Sequence, residues 1–162
     1  MQEVLIIRSV SFQQLDKNIK AIREKYRNCR ISLLTHEHGV KLAEKYKNIY
    51  RVYVYPYQGS FSYGKPVKEL ENRDFDTVII PVTNISGAGF SNVCLFALTI
   101  KAKKYVICNM VSDLREISRA GVFAVVAKNA VISVLASLFT VLIGVVVLPI
   151  LPLLLRSLEK RM

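Results

Sequence analysis

The residues best equipped for chemistry lie in short polar stretches between apolar runs. His36-Glu37-His38-Gly39 places two imidazoles around a carboxylate, and on an extended segment both rings could face one way, as two metal ligands would. No third ligand site is evident elsewhere, so no metal is expected, and the competing reading is strand-end histidines satisfied by hydrogen bonds. Cys29, Cys94 and Cys108 are odd in number and lack CxxC spacing, which points to neither a disulfide framework nor a zinc site. Cys94 and Cys108 sit in apolar runs and read as core thiols. Asp16 is placed to pair with Lys20 one helical turn on, so no residue is assigned a catalytic role.

Two longer stretches read as binding loops. Tyr55-Pro56-Tyr57-Gln58-Gly59-Ser60-Phe61-Ser62-Tyr63-Gly64-Lys65 sets four aromatics among small polar residues. Such rings stack on sugars or sit at lipid headgroups; alternatively they cover a sheet edge. Asn84-Ile85-Ser86-Gly87-Ala88-Gly89-Phe90-Ser91-Asn92 precedes an apolar helix, where glycines ahead of free backbone N–H groups make an anion site or permit close packing. Tyr57, Tyr63, Gly87 and Gly89 are therefore the candidate ligand-binding positions. Asn84-Ile85-Ser86 has the form of a glycosylation sequon, which a cytosolic domain would not use. The stretch Ser9–Gln14 contains no glycine, which argues against an ordinary dinucleotide-binding loop, and no cofactor is expected.

These loops need elements to position them. Val4–Arg8 (VLIIR), Arg30–Thr35, Ile49–Val54, Thr77–Pro81 and Tyr105–Cys108 read as strands. Leu15, Ile19, Ile22 and Tyr26 mark one face of a helix, followed by helices over Gly39–Tyr46 and Val93–Ile100. The alternation predicts an α/β fold, a Rossmann-like doubly wound parallel sheet of about five strands whose ligands bind beyond the carboxyl ends. A C-terminal transmembrane helix is expected from Ala130 to Leu155, twenty-six residues without a charge. At 1.5 Å per residue it reaches about 39 Å, enough to cross a hydrocarbon core of about 30 Å. Pro149 and Pro152 leave open a broken path that returns to the same side.

The expected organisation is a domain over residues 1–116, a basic juxtamembrane segment over 117–129, the membrane helix over 130–155 and a short basic tail over 156–162. The opening MQEVLIIRSV lacks the basic start and the apolar core of a signal peptide, so the domain is expected in the cytoplasm, anchored to the cell membrane by a single pass. Twenty-three Lys and Arg against twelve Asp and Glu give a net charge of +11. Lys101, Lys103, Lys104, Arg115, Arg119 and Lys128 cluster ahead of the anchor, as expected beside an anionic leaflet. No nucleic-acid motif accompanies the charge, so membrane lipid rather than nucleic acid is the expected partner.

The succession VLIIR, AIREKY, RISLLTHEHGVKLAEKYKNIYRVYVYP, FDTVIIPVTN and LFALTIKAKKYVI resembles the N-terminal half of the heptosyltransferase-like glycosyltransferases of family 9. In that family two such halves form a GT-B enzyme, the first holding the acceptor and the second the nucleotide sugar. The family's Gly-Asp pair, whose aspartate is the candidate general base, falls here on Gln13 and Gln14, and a glutamine amide cannot take up a proton at neutral pH. The donor-binding half is replaced by the apolar run. The resemblance thus implies an acceptor-side half domain, non-catalytic alone, that recruits or completes a glycosyltransferase or other glycan-assembly protein in cell-envelope polysaccharide or glycolipid assembly. A homo-oligomer is compatible with it. A self-sufficient nucleotide-sugar-binding enzyme at the membrane surface and a purely structural adaptor are the alternatives.

Overall fold

The computed structural model describes residues 1–159 apart from Ser86 and Ala88, with side chains described as far as residue 145. Six strands form one sheet: β1 (Gln2–Ile7), β2 (Cys29–His36), β3 (Arg51–Tyr55), β4 (Asp74–Pro81), β5 (Lys101–Cys108) and β6 (Leu114–Ile117). Their order is β3-β2-β1-β4-β5-β6. The first five are mutually parallel and β6 runs antiparallel to β5. Beyond β1 the chain builds outward first through β2 and β3, then on the other side through β4 and β5, so the order reverses between β1 and β4.

The central position of β1 follows from its sequence. Val4, Leu5, Ile6 and Ile7 are all fully buried, as a strand covered on both faces requires. Alternation sends Val4 and Ile6 into one apolar cluster and Leu5 and Ile7 into the other. On the first face lies α1 (Phe12–Lys25), which brings in Leu15, Ile19 and Ile22, each burial contributing about 1.5–3 kcal/mol. Ser11 caps this helix by accepting from the Gln14 N–H at 3.3 Å, and Arg23 and Lys25 sit favourably in its last turn. A single 3-10 turn (Glu37–Gly39) and α2 (Val40–Ala43) add Ala43 to the same face. The other face is covered by α3 (Lys68–Glu71), α4 (Ser91–Ala97) and Val122 of α5 (Arg119–Glu159).

Several sequence expectations change here. The sheet has a sixth strand, where about five were expected, because Leu114–Ile117 closes a tight turn. The buried Asn109 side chain accepts from Val111 and Asp113 N–H at 3.1 and 2.9 Å, reversing the chain. Asp16 is not among the ion pairs of the described residues; Tyr46 donates to it instead, and burial together with that bond pushes the tyrosine up to about 12. Cys94 and Cys108 are fully buried, and desolvation raises each to about 11, so both are inert thiols.

The chain divides into a unit over Met1–Val126 and a second from Ala127 onward. Helix α5 spans 41 residues, beginning at Arg119 rather than near 130, and it continues through Pro149 and Pro152. The break that a returning path would need there is thus absent among the described residues. Its Arg119–Val145 portion is long and apolar enough to cross a membrane, with 6% of the most apolar window buried. The hydroxyls of Ser137 and Thr140 donate to the carbonyls of Ser133 and Ala136, both at 2.9 Å, so neither adds an unpaired polar group to the apolar helix. The basic tail expected at 156–162 has no described side chains, and Lys160, Arg161 and Met162 lie outside the described residues, as does Ser86 of the sequon.

Candidate functional site

A cleft of about 980 Å³ opens at the carboxyl ends of the strands, within the size range of small-molecule sites. It sits where the strand order reverses, the place at which open parallel sheets bind ligands because two neighbouring loops diverge. Its walls come from the end of β1 (Arg8 to Ser11), the end of β2 (His36 to His38), the loop after β3 (Tyr55 to Phe61), and Thr83, Gly89, Phe90, Asn92 and Val93 around the loop after β4.

The loop after β3 forms the aromatic wall. Phe61 turns back into the core, 2% exposed, with its ring 4.7 Å from those of Tyr55 and His36 and 5.1 Å from Phe96. Tyr57 packs edge-on against Tyr55 at 5.2 Å and donates to the Pro66 carbonyl at 3.3 Å. The Tyr55 hydroxyl accepts from Ser62 N–H at 3.2 Å. These contacts hold the loop down on the sheet.

Arg8 supplies the positive charge. Its Nε donates to Thr35 Oγ1 at 2.6 Å, one terminal nitrogen to the Val10 carbonyl at 3.3 Å and the other to His38 Nε2 at 3.3 Å, while the guanidinium lies 4.7 Å over the Phe12 ring. The accepting Nε2 of His38 must carry no proton in this arrangement, which assigns the proton of its neutral ring to Nδ1. The described ion pairs are Arg30–Glu3, Lys103–Asp76 and Lys104–Glu116, so Arg8 has no carboxylate partner among the described residues. Burial lowers its pKa from the usual value, yet a guanidinium remains cationic at neutral pH. Glycine at position 39 makes this cluster possible: a Cβ there would collide with Thr35 Oγ1 and come within 3.2 Å of the Arg8 guanidinium.

His36 donates from Nε2 to the Gly59 carbonyl at 2.7 Å and stacks on His38 with centroids 5.6 Å apart. Burial lowers its pKa below 6.5; the Gly59 bond opposes this, and the charge of Arg8 adds to it. Both imidazoles are thereby engaged with protein groups, and among the described residues no three His, Cys, Asp or Glu side chains converge on a common point.

Of the candidate positions read from the sequence, Tyr57 and Gly89 line the cleft and Tyr63 and Gly87 do not. Tyr63 is exposed and Gly87 is buried, its N–H donating to Asn84 Oδ1. Both glycines have positive φ, 75° and 82°, so they serve the path of the loop. Gln13 is exposed, while Gln14 donates to Asn18 Oδ1 and the Met110 carbonyl, both at 2.9 Å, tying α1 to the β5–β6 turn. Glu37, exposed, is the only carboxylate lining the cleft among the described residues. The sequence marks Arg8 only as the last residue of a strand; an arginine ending a fully apolar central strand is the signal that could have found it. Comparison of the chain with family models, with curated proteins and with solved structures returns no match, so its function rests on the cleft and the apolar helix alone.

Proposed function

We propose that this protein is a membrane-tethered, Rossmann-like half domain that holds a saccharide-bearing acceptor for a glycan-assembly enzyme, with its sheet domain on the cytoplasmic side. The observation that carries this is the aromatic-walled cleft at the strand-order reversal, in a chain whose long apolar helix would tether the sheet domain to a membrane. The strand order is that of dinucleotide-binding sheets, which supports the Rossmann-like reading, and the resemblance to the acceptor half of GT-B enzymes agrees with it. An aromatic ring with neutral hydroxyl and amide groups, here Tyr57, Ser60 and Asn92, suits a sugar's alternating apolar and hydroxylated surfaces. With Gln13 and Gln14 where the family carries its Gly-Asp pair, the donor site and the base would come from a partner protein.

Saturation-transfer NMR on the intact protein in a polyoxyethylene detergent, against a panel of neutral and acidic envelope oligosaccharides, tests the binding role. Transfer to ring protons that weakens in Tyr57→Ala is expected; silence across the whole panel would overturn the saccharide role. Extraction from native membranes should also bring down a glycan-assembly enzyme. Protease added to sealed inside-out vesicles should digest the sheet domain, and protection would reverse the orientation.

A further inference from the structure

We infer that Arg8 is the anchoring point for a phosphate-type oxyanion, so that the ligand of the cleft is a phosphorylated one; this presupposes that the cleft is a ligand site, as its saccharide-holding role requires. A half-buried guanidinium has lost part of its hydration, and proteins ordinarily offset that with a carboxylate. Here the three groups that fix Arg8 are all uncharged in the arrangement described: a hydroxyl, a carbonyl and a neutral imidazole. They hold the fork in place without cancelling its charge. Of the five N–H groups of a guanidinium, three are engaged, and two remain for a ligand. Those two lie one on each terminal nitrogen, and a pair of donors on a planar guanidinium can meet two oxygens of one phosphoryl group, as a lysine ammonium cannot.

The surroundings are built for that fork. Phe12 covers the guanidinium, Thr35 holds Nε at 2.6 Å, and position 39 has no side chain to displace Thr35 or the guanidinium. The nearest acidic side chain among those lining the cleft, Glu37, is exposed and forms no ion pair with Arg8. Tyr57 lines the same cleft, so one ligand could place a phosphate at Arg8 and a ring against the tyrosine. Two sources share that chemistry, a soluble phosphosugar and the phosphate head of a polyprenyl lipid.

Calorimetric titration of the full chain with inorganic pyrophosphate, in a polyoxyethylene detergent that carries neither phosphate nor sugar, tests the assignment. Binding that weakens with added salt is expected, with affinity reduced at least tenfold in Arg8→Gln and several-fold in Arg8→Lys, and unchanged in Lys103→Gln. Arg8→Lys keeps the charge while losing the fork, so it decides the matter if Arg8→Gln does not fold by circular dichroism. Absence of pyrophosphate binding to the wild type, or equal affinity in the lysine variant, would overturn the assignment. A second arm adds polyprenyl phosphate, or the corresponding polyprenol, to the micelles. Competition by the phosphate alone identifies the lipid as the source, and pyrophosphate binding without competition identifies a soluble phosphosugar. Neutral saccharides bound without any affinity for pyrophosphate would sink the phosphate assignment and leave the saccharide role intact; the converse result would do the opposite.

Discussion

At the amino ends of the strands Arg30 faces Glu3 at 3.4 Å and Lys103 faces Asp76 at 2.7 Å, whereas at the carboxyl ends Arg8 is held by a hydroxyl, a carbonyl and an imidazole. The amino-end pairs are solvent-exposed and screened, and such pairs contribute little beyond helping register. Asp76 also accepts from the Glu3 N–H at 2.9 Å, fastening β4 to β1. At the carboxyl end the charge is better shielded from water and has no counter-charge in the described chain. The amino end thus holds paired charges in solvent, and the carboxyl end holds a partly buried guanidinium fixed by uncharged groups.

Substitutions that separate those two uses should differ in size. Phe61→Ala removes a 2%-exposed ring from between His36, Tyr55 and Phe96, and should cost about 3–5 kcal/mol in denaturant unfolding while dismantling the aromatic wall. Gly39→Ala is smaller by volume but drives a methyl into Thr35 and Arg8; about 1–3 kcal/mol of overpacking is expected, together with weakened pyrophosphate binding. A Gly39→Ala protein that binds as the wild type does would show that the fork's position is not what matters.

Acidification should act next, and differently at the two ends. His36 has a folded pKa depressed below 6.5, so its contribution is complete above that value and is lost as pH falls through the folded pKa. Asp76 is depressed from 3.8, chiefly by the Lys103 hydrogen bond, so its contribution is likewise lost on acidification but only below about that pH. Thermal unfolding between pH 7.5 and 5 should therefore show a decline that His36→Gln flattens and Asp76→Asn does not. Smallest of all, Asp76→Asn at neutral pH should leave pyrophosphate affinity untouched and lower the melting temperature slightly, an effect that salt erases.

The legible parts of this molecule are those governed by local pattern. Four consecutive apolar residues in VLII require burial on both faces, and Leu15, Ile19 and Ile22 repeat with the helical period, so β1 and α1 are readable directly. Strand β6 is not, because its burial pattern is weak and its Arg115 and Glu116 are exposed; an edge strand carries charge to discourage further pairing. In the tyrosine-rich loop the types of residue were informative and their destinations were not. Tyr63 and Phe61 are two positions apart, yet one is exposed and the other is core.

Sequence alone determined the central strands, the helix period, the long apolar helix and the existence of two unusual loops, since each depends on residue types within one segment. Only the tertiary structure decided the strand order, the reversal beside β1 and the company of Arg8. Its partners come from positions 10, 35 and 38, and the space it occupies depends on a missing Cβ at position 39. Which groups surround that guanidinium is a property of distances between separate segments, and the packing of the sheet sets those distances.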